Sequence, residues 1–170
     1  METVRIVAVA VASVAAAMDL RTRRIPNYLT YGSSVAALIY HFSVAGVGGA
    51  GESAAGWVVG VGLFLPLFVL GGMGAGDVKL LGAVGAWLGP WGVLWSALFT
   101  TLAGGVLAVA LSLRNRYLGT AIRNLLGLLG AWRATGVKPV PGLTLVDSTG
   151  PRLAYGVAIA IGTLATAVFK

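Results

Sequence analysis

Long apolar runs are the feature that most limits how this chain can fold. Stretches at about 4–19, 27–46, 54–71, 77–89, 91–113 and 152–169 carry almost no charge. A hydrocarbon layer about 30 Å thick takes roughly 20 helical residues to cross, and it offers no water to satisfy a loose backbone. The reading is therefore all-α: a polytopic membrane protein with about six transmembrane helices. Composition agrees, because 58% of the 170 residues are hydrophobic and 10% are charged, whereas soluble domains carry about 25% charged residues. So many spans leave little chain for anything else, and residues 1–170 are expected to form a single integral-membrane domain.

Local signals place the breaks. "DLRTRRIPN" separates the first two stretches, with Pro26 suited to a helix start. "AGVGGAGES" is expected to separate the second from the third, and "GGMGAG" the third from the fourth. Gly89-Pro90 should split the fourth from the fifth, since the residue before proline avoids helical geometry. The fourth stretch is short for a span, so a tilted or protein-buried helix is expected there. Residues 114–133 read as an amphipathic helix lying in the membrane surface between helices five and six. Its apolar side would carry Tyr117, Ala121, Leu125, Leu128 and Trp132. A polar loop up to 151 follows, in which Asp147 reads as a turn former.

The net charge of +7 belongs to membrane topology rather than to nucleic acid. With the N-terminus outside, the cytoplasmic loops hold Arg21, Arg23, Arg24, Lys79, Arg114, Arg116, Arg123, Arg133, Lys138 and Arg152, leaving only Arg5 and Lys170 outside. This positive-inside split gives an N-out, C-out topology. "VAVAVASVAAAM" has the look of a secretory signal, but the "RTRR" behind it resists translocation, so no cleavage is expected there. Without cysteine, disulfides, thiolate chemistry and cysteine-bound zinc are excluded, and no metal or cofactor is expected. His41 reads as a packed or outward-facing residue, Lys79 as a snorkelling cation, and Trp57, Trp87, Trp91 and Trp95 as interface anchors.

Two carboxylates stand out against this background. Asp19 closes the first helix at the cytoplasmic face, and Asp77 opens the fourth at the same face. Each has an ordinary reading: Asp77 as a helix N-cap, Asp19 as a charge paired with Arg21 or Arg23. Together they lie at one depth on helices free to touch, and an aspartate in a span costs about 2.5–3.5 kcal/mol on insertion scales. A carboxylate pair suits peptide hydrolysis, one group taking a proton from water while the other gives one. The macrodipole favours Asp77 as the base and Asp19 as the acid. Gly72, Gly74 and Gly76, lacking side chains, would let an extended substrate backbone approach.

These residues carry a family resemblance. "GMGAGDVKLLGAVGAWLG" resembles the GxGD signature of the prepilin peptidases, which are intramembrane aspartic proteases. "DLRTRRIPNYLT" resembles their first-aspartate segment, and "AYGVAIAIG" their terminal helix, with Ala154 standing where proline is expected. The resemblance implies that Asp19 and Asp77 are the catalytic pair. It implies a membrane-embedded endopeptidase that removes the short basic leader of a type IV, Flp-like prepilin at the cytoplasmic side of the inner membrane. The chain is similar to the compact form of the family associated with tight-adherence pili or with archaeal relatives, without the methyltransferase domain. Its partners would be the prepilin and the lipid bilayer. The rival readings are a presenilin-like protease of other substrates and a non-enzymatic, proton-coupled membrane component.

Overall fold

The computed structural model describes residues 2–140, 142 and 153–170. Asp147, Arg152 and most of the loop expected before the last helix lie outside the described residues. Five helices follow one another: α1 (Glu2–Thr22), α2 (Asn27–Val69), α3 (Ala75–Arg114), α4 (Leu118–Thr135) and α5 (Tyr155–Phe169). The described residues contain no strand. α1, α2 and α3 are long and apolar enough to cross a membrane, and α5 is a shorter apolar helix.

α2 has 43 residues, and at 1.5 Å per residue a straight helix of that size would run about 65 Å, roughly twice the hydrocarbon thickness. It does not run straight. Ala45 and Gly46 leave helical geometry, Gly46 at φ 59°, a left-handed value open to glycine. Past this break Gly49 lies against the His41 carbonyl, which an unbroken helix would hold roughly two turns away. The chain has doubled back. α3 breaks in the same manner at Gly89, φ 71°, directly before Pro90, as the sequence predicts. The first break is tighter than expected. Residues 47–53 of "AGVGGAGES" are helical, because Gly49 serves the close approach to His41 rather than a loop.

The doubled-back legs pack through small residues. Gly56 meets the Gly85 carbonyl and Gly85 meets that of Gly56, while the Gly60 Cα faces the Leu81 carbonyl. The second leg of α2 thus lies antiparallel on the first leg of α3. Without side chains between them the two backbones come close enough to gain dense van der Waals contact, the main attraction between helices in lipid. Gly162 of α5 packs likewise on Ser96 and Thr100 of α3. Hydroxyls tie the same seams: Ser53 donates to the Ala86 carbonyl at 2.9 Å, and Ser96 and Thr163 share a hydrogen bond of 3.2 Å. The first leg of α3 is enclosed, with Leu80, Leu81, Ala83 and Val84 fully buried. The short fourth stretch is therefore protein-buried, one of the two forms expected.

Trp87 and Lys79 depart from expectation. Trp87 is 6% exposed and donates its indole N–H to Ser33 Oγ at 2.9 Å, so it is a core residue and not an interface anchor. His41 packs beside it, with Nε2 3.0 Å from the Trp87 carbonyl oxygen. Lys79 does not snorkel freely; it donates to Asn27 Oδ1 at 3.0 Å and stands over the Tyr31 ring. On α4, Tyr117, Ala121, Leu128 and Trp132 are half-buried, but Leu125 is exposed with Ile122, Leu126 and Leu129. The apolar stripe that α4 leaves free is therefore rotated from the one expected. Ala154, before α5, has φ −76°, a value proline also adopts.

The Gly56–Gly85 contact predicts a sharp positional contrast. Gly56→Val drives a side chain into the Gly85 carbonyl and should destabilise the protein by about 3 kcal/mol or more. Gly62→Val, where nothing stands within 4 Å, should be close to neutral. Thermal unfolding of the detergent-purified variants checks both.

Candidate active site

The site begins with how α1 stops. Arg23 takes a left-handed φ of 54°, and its N–H donates to the Asp19 carbonyl at 2.9 Å. The left-handed residue ends the helix, and this backbone bond holds Asp19 in its last turn. Ile25 and the extended Pro26 then carry the chain into α2. Ile25 also reaches the start of α3, where a Cβ on Gly76 would stand 3.2 Å from Ile25 Cβ.

The turn between α2 and α3 has an equally local cause. Gly71 is left-handed at φ 76°. The Gly71 N–H donates to the Phe68 carbonyl at 2.9 Å and the Gly72 N–H to the Leu67 carbonyl at 2.8 Å. This paired closure satisfies carbonyls that the end of α2 leaves open. Gly74 is extended, and α3 starts behind it. Asp77, in the first turn of α3, accepts the Gly74 N–H at Oδ2 over 3.2 Å. The N-cap is therefore Gly74 and not Asp77, which stands at the third helical position and reaches back to the cap's amide.

The expected residues divide as follows. Asp19 is 8% exposed and Asp77 is half-buried. Far apart along the chain, their carboxylates come within electrostatic reach of one another. Gly72 and Gly74 are exposed beside this pair, and a Cβ on Gly74 would meet Asp77 Oδ2 at 3.2 Å. Gly76 is different. Its bare Cα is covered by Ile25, so the missing side chain serves helix packing rather than open access.

α5 supplies what sequence reasoning missed. The Gly156 N–H donates to Asp19 Oδ2 at 3.1 Å, a buried bond. Amides in the first turn of a helix have no partner within it and carry the positive end of the macrodipole. The Asp19 carboxylate takes one of these amides. A Cβ at 156 would stand 3.1 Å from Asp19 Oδ2 and 3.2 Å from its Cβ, tight enough that the Asp19 side chain would have to shift to admit it. Tyr155, half-buried beside it, packs edge-on against Phe64 and lies within electrostatic reach of Asp77. The signal for both was the "AYG" at the head of the terminal helix. It marks a helix start but does not say which side chain that start will face.

Asp19 thus ends α1, Asp77 begins α3, and the start of α5 closes over Asp19. Such a pair of carboxylates, Asp19 enclosed and Asp77 half-buried, has the parts needed to move protons to and from a bound amide. A family model described as the type IV leader peptidase family matches residues 6–109, which include both aspartates and the glycine turn. No curated protein and no solved structure matches the chain. The match covers more than half of the 170 residues, and the chain belongs to the type IV leader peptidase family.

Proposed function

We propose that this prepilin-type leader peptidase is an aspartic endopeptidase whose catalytic residues are Asp19 and Asp77. The convergence of two carboxylates at one end of the helices carries the reading. In the reaction one group, as the carboxylate, takes a proton from water as the oxygen attacks the scissile carbonyl, and the other, as the carboxylic acid, gives its proton to the carbonyl oxygen. Collapse of the tetrahedral species breaks the C–N bond, and the amine leaves with a proton from the pair. Each carboxylate accepts one backbone N–H, from Gly156 and from Gly74, so both are oriented before substrate arrives. Gly72 and Gly74, exposed next to Asp77, form the surface on which an extended substrate backbone lies.

The substrate is a Flp-like prepilin, cut behind its short basic leader at the cytoplasmic side of the inner membrane. The whole chain acts as one integral-membrane unit. The breaks in α2 and α3 divide each into two legs, making six crossings together with α1 and α5. Arg21, Arg23, Arg24 and Lys79 stand at the Asp19–Asp77 end, whereas Arg5 and Lys170 stand at the other. This supports an N-out, C-out orientation with the site facing the cytoplasm. α4, with Arg123 and Arg133 beside its free stripe of Ile122, Leu125, Leu126 and Leu129, lies on the surface of that leaflet.

Co-expression with a prepilin carrying a basic leader tests the pair. Asp19→Asn and Asp77→Asn should each lower cleavage by about 100-fold or more, the scale of acid–base catalysis, while still inserting and eluting as folded protein. Retained cleavage in either variant rejects the assignment. Gly156→Ala should lower kcat by about tenfold or more through displacement of Asp19, with KM and thermal stability little changed; an unaltered kcat would remove the positioning role. The chain has no cysteine, so introduced ones are unique reporters. Thr22→Cys and Val47→Cys should react with an impermeant thiol reagent from opposite sides of the membrane, and labelling from one side refutes the topology.

A further inference from the structure

The end of the molecule remote from Asp19 and Asp77 holds a second gathering of charge. Arg5 at the start of α1, Glu52 in α2 and Lys170 behind α5 line one cavity of about 490 Å³ with Trp91 and Trp95. Sites for small ligands enclose roughly 300–1,000 Å³. The cavity is shaped by the α3 break: a Cβ on left-handed Gly89 would stand 3.1 Å from Glu52 Oε1.

Each group there has unused capacity. Arg5 Nη2 donates to the Lys170 carbonyl at 2.7 Å, joining α1 to α5. A guanidinium has five N–H donors, so most remain open. Lys170 Nζ stands 4.0 Å from the centre of the Trp95 ring, showing that an ammonium fits an aromatic face in this cavity. Trp91 is 79% exposed and its ring offers a second such face. Among the described residues the Glu52 carboxylate has no hydrogen-bond or ion-pair partner.

A simple anion would be repelled by Glu52, and a simple cation by Arg5 and Lys170. A ligand bearing both charges answers all three. Val4 and Leu88 add apolar lining, which suits an amphiphile better than a free ion. We propose that this cavity binds the phosphoethanolamine headgroup of a zwitterionic phospholipid. Its phosphate sits at Arg5 and Lys170, and its ammonium sits between Glu52 and Trp91. Nothing in this assignment depends on the peptidase chemistry at the other end.

Native mass spectrometry of the full chain in detergent tests it, with phosphatidylethanolamine and phosphatidylglycerol of matched acyl chains as probes. Phosphatidylethanolamine should be retained in preference. Glu52→Gln should lower its retention by about threefold, the scale of one exposed ion pair, without lowering that of phosphatidylglycerol. Trp91→Leu, at a largely exposed position, should act in the same direction and carries the test if Glu52→Gln fails to fold. Soluble O-phosphoethanolamine should displace the lipid, and inorganic phosphate should not. Equal retention of the two lipids, unchanged retention in the folded variants, or displacement by inorganic phosphate alone would overturn the proposal.

Discussion

Where Gly56 meets Gly85, two helix backbones touch with no side chain between them, and the rest of the architecture is arranged about that seam. In lipid there is little hydrophobic gain in pressing one helix on another, so close packing and a few hydrogen bonds must hold them. The seam supplies both. Gly60 on Leu81 extends the contact, and Ser53 on the Ala86 carbonyl ties it. The first leg of α3 becomes the enclosed centre of the molecule, and the position of Asp77 at its head follows from that placement.

Around this centre the charge is sorted by cost. A carboxylate in an apolar phase needs hydrogen bonds and neighbours that offset its lost hydration. Asp19 obtains them at a junction of chain ends: it sits in the last turn of α1 and receives an amide from the first turn of α5. Gly156 is the residue that lets the two ends come that close. Asp77 gains a similar contact from its own turn, through Gly74. The long-range contact to Asp19 depends on how α1 and α5 dock, whereas the short-range one to Asp77 depends only on the loop.

The two ends of the helices are accordingly built for different chemistry. One gathers carboxylates, glycines and a basic rim, with Lys79 tied down to Asn27. The other holds a cavity in which Trp91 and Trp95 stand with the Glu52 carboxylate and two cations, shaped by a glycine turn in the middle of α3. A lipid-embedded chain this poor in charge has placed nearly all of its ionisable groups at these ends, where water and headgroups lower their cost.

Much of this was legible before any fold was known. Apolar stretches, the Gly89-Pro90 break and the glycine turn before Asp77 are properties of local composition and helical periodicity. A chain in lipid has few other ways to satisfy its backbone. Tertiary structure decided the rest. It turned Trp87 inward onto Ser33, confined the first break to Ala45 and Gly46, rotated the free stripe of α4, and set Gly156 on Asp19. These outcomes depend on which helix faces meet. That is settled by packing between residues far apart in the chain, and spacing along a sequence does not record it.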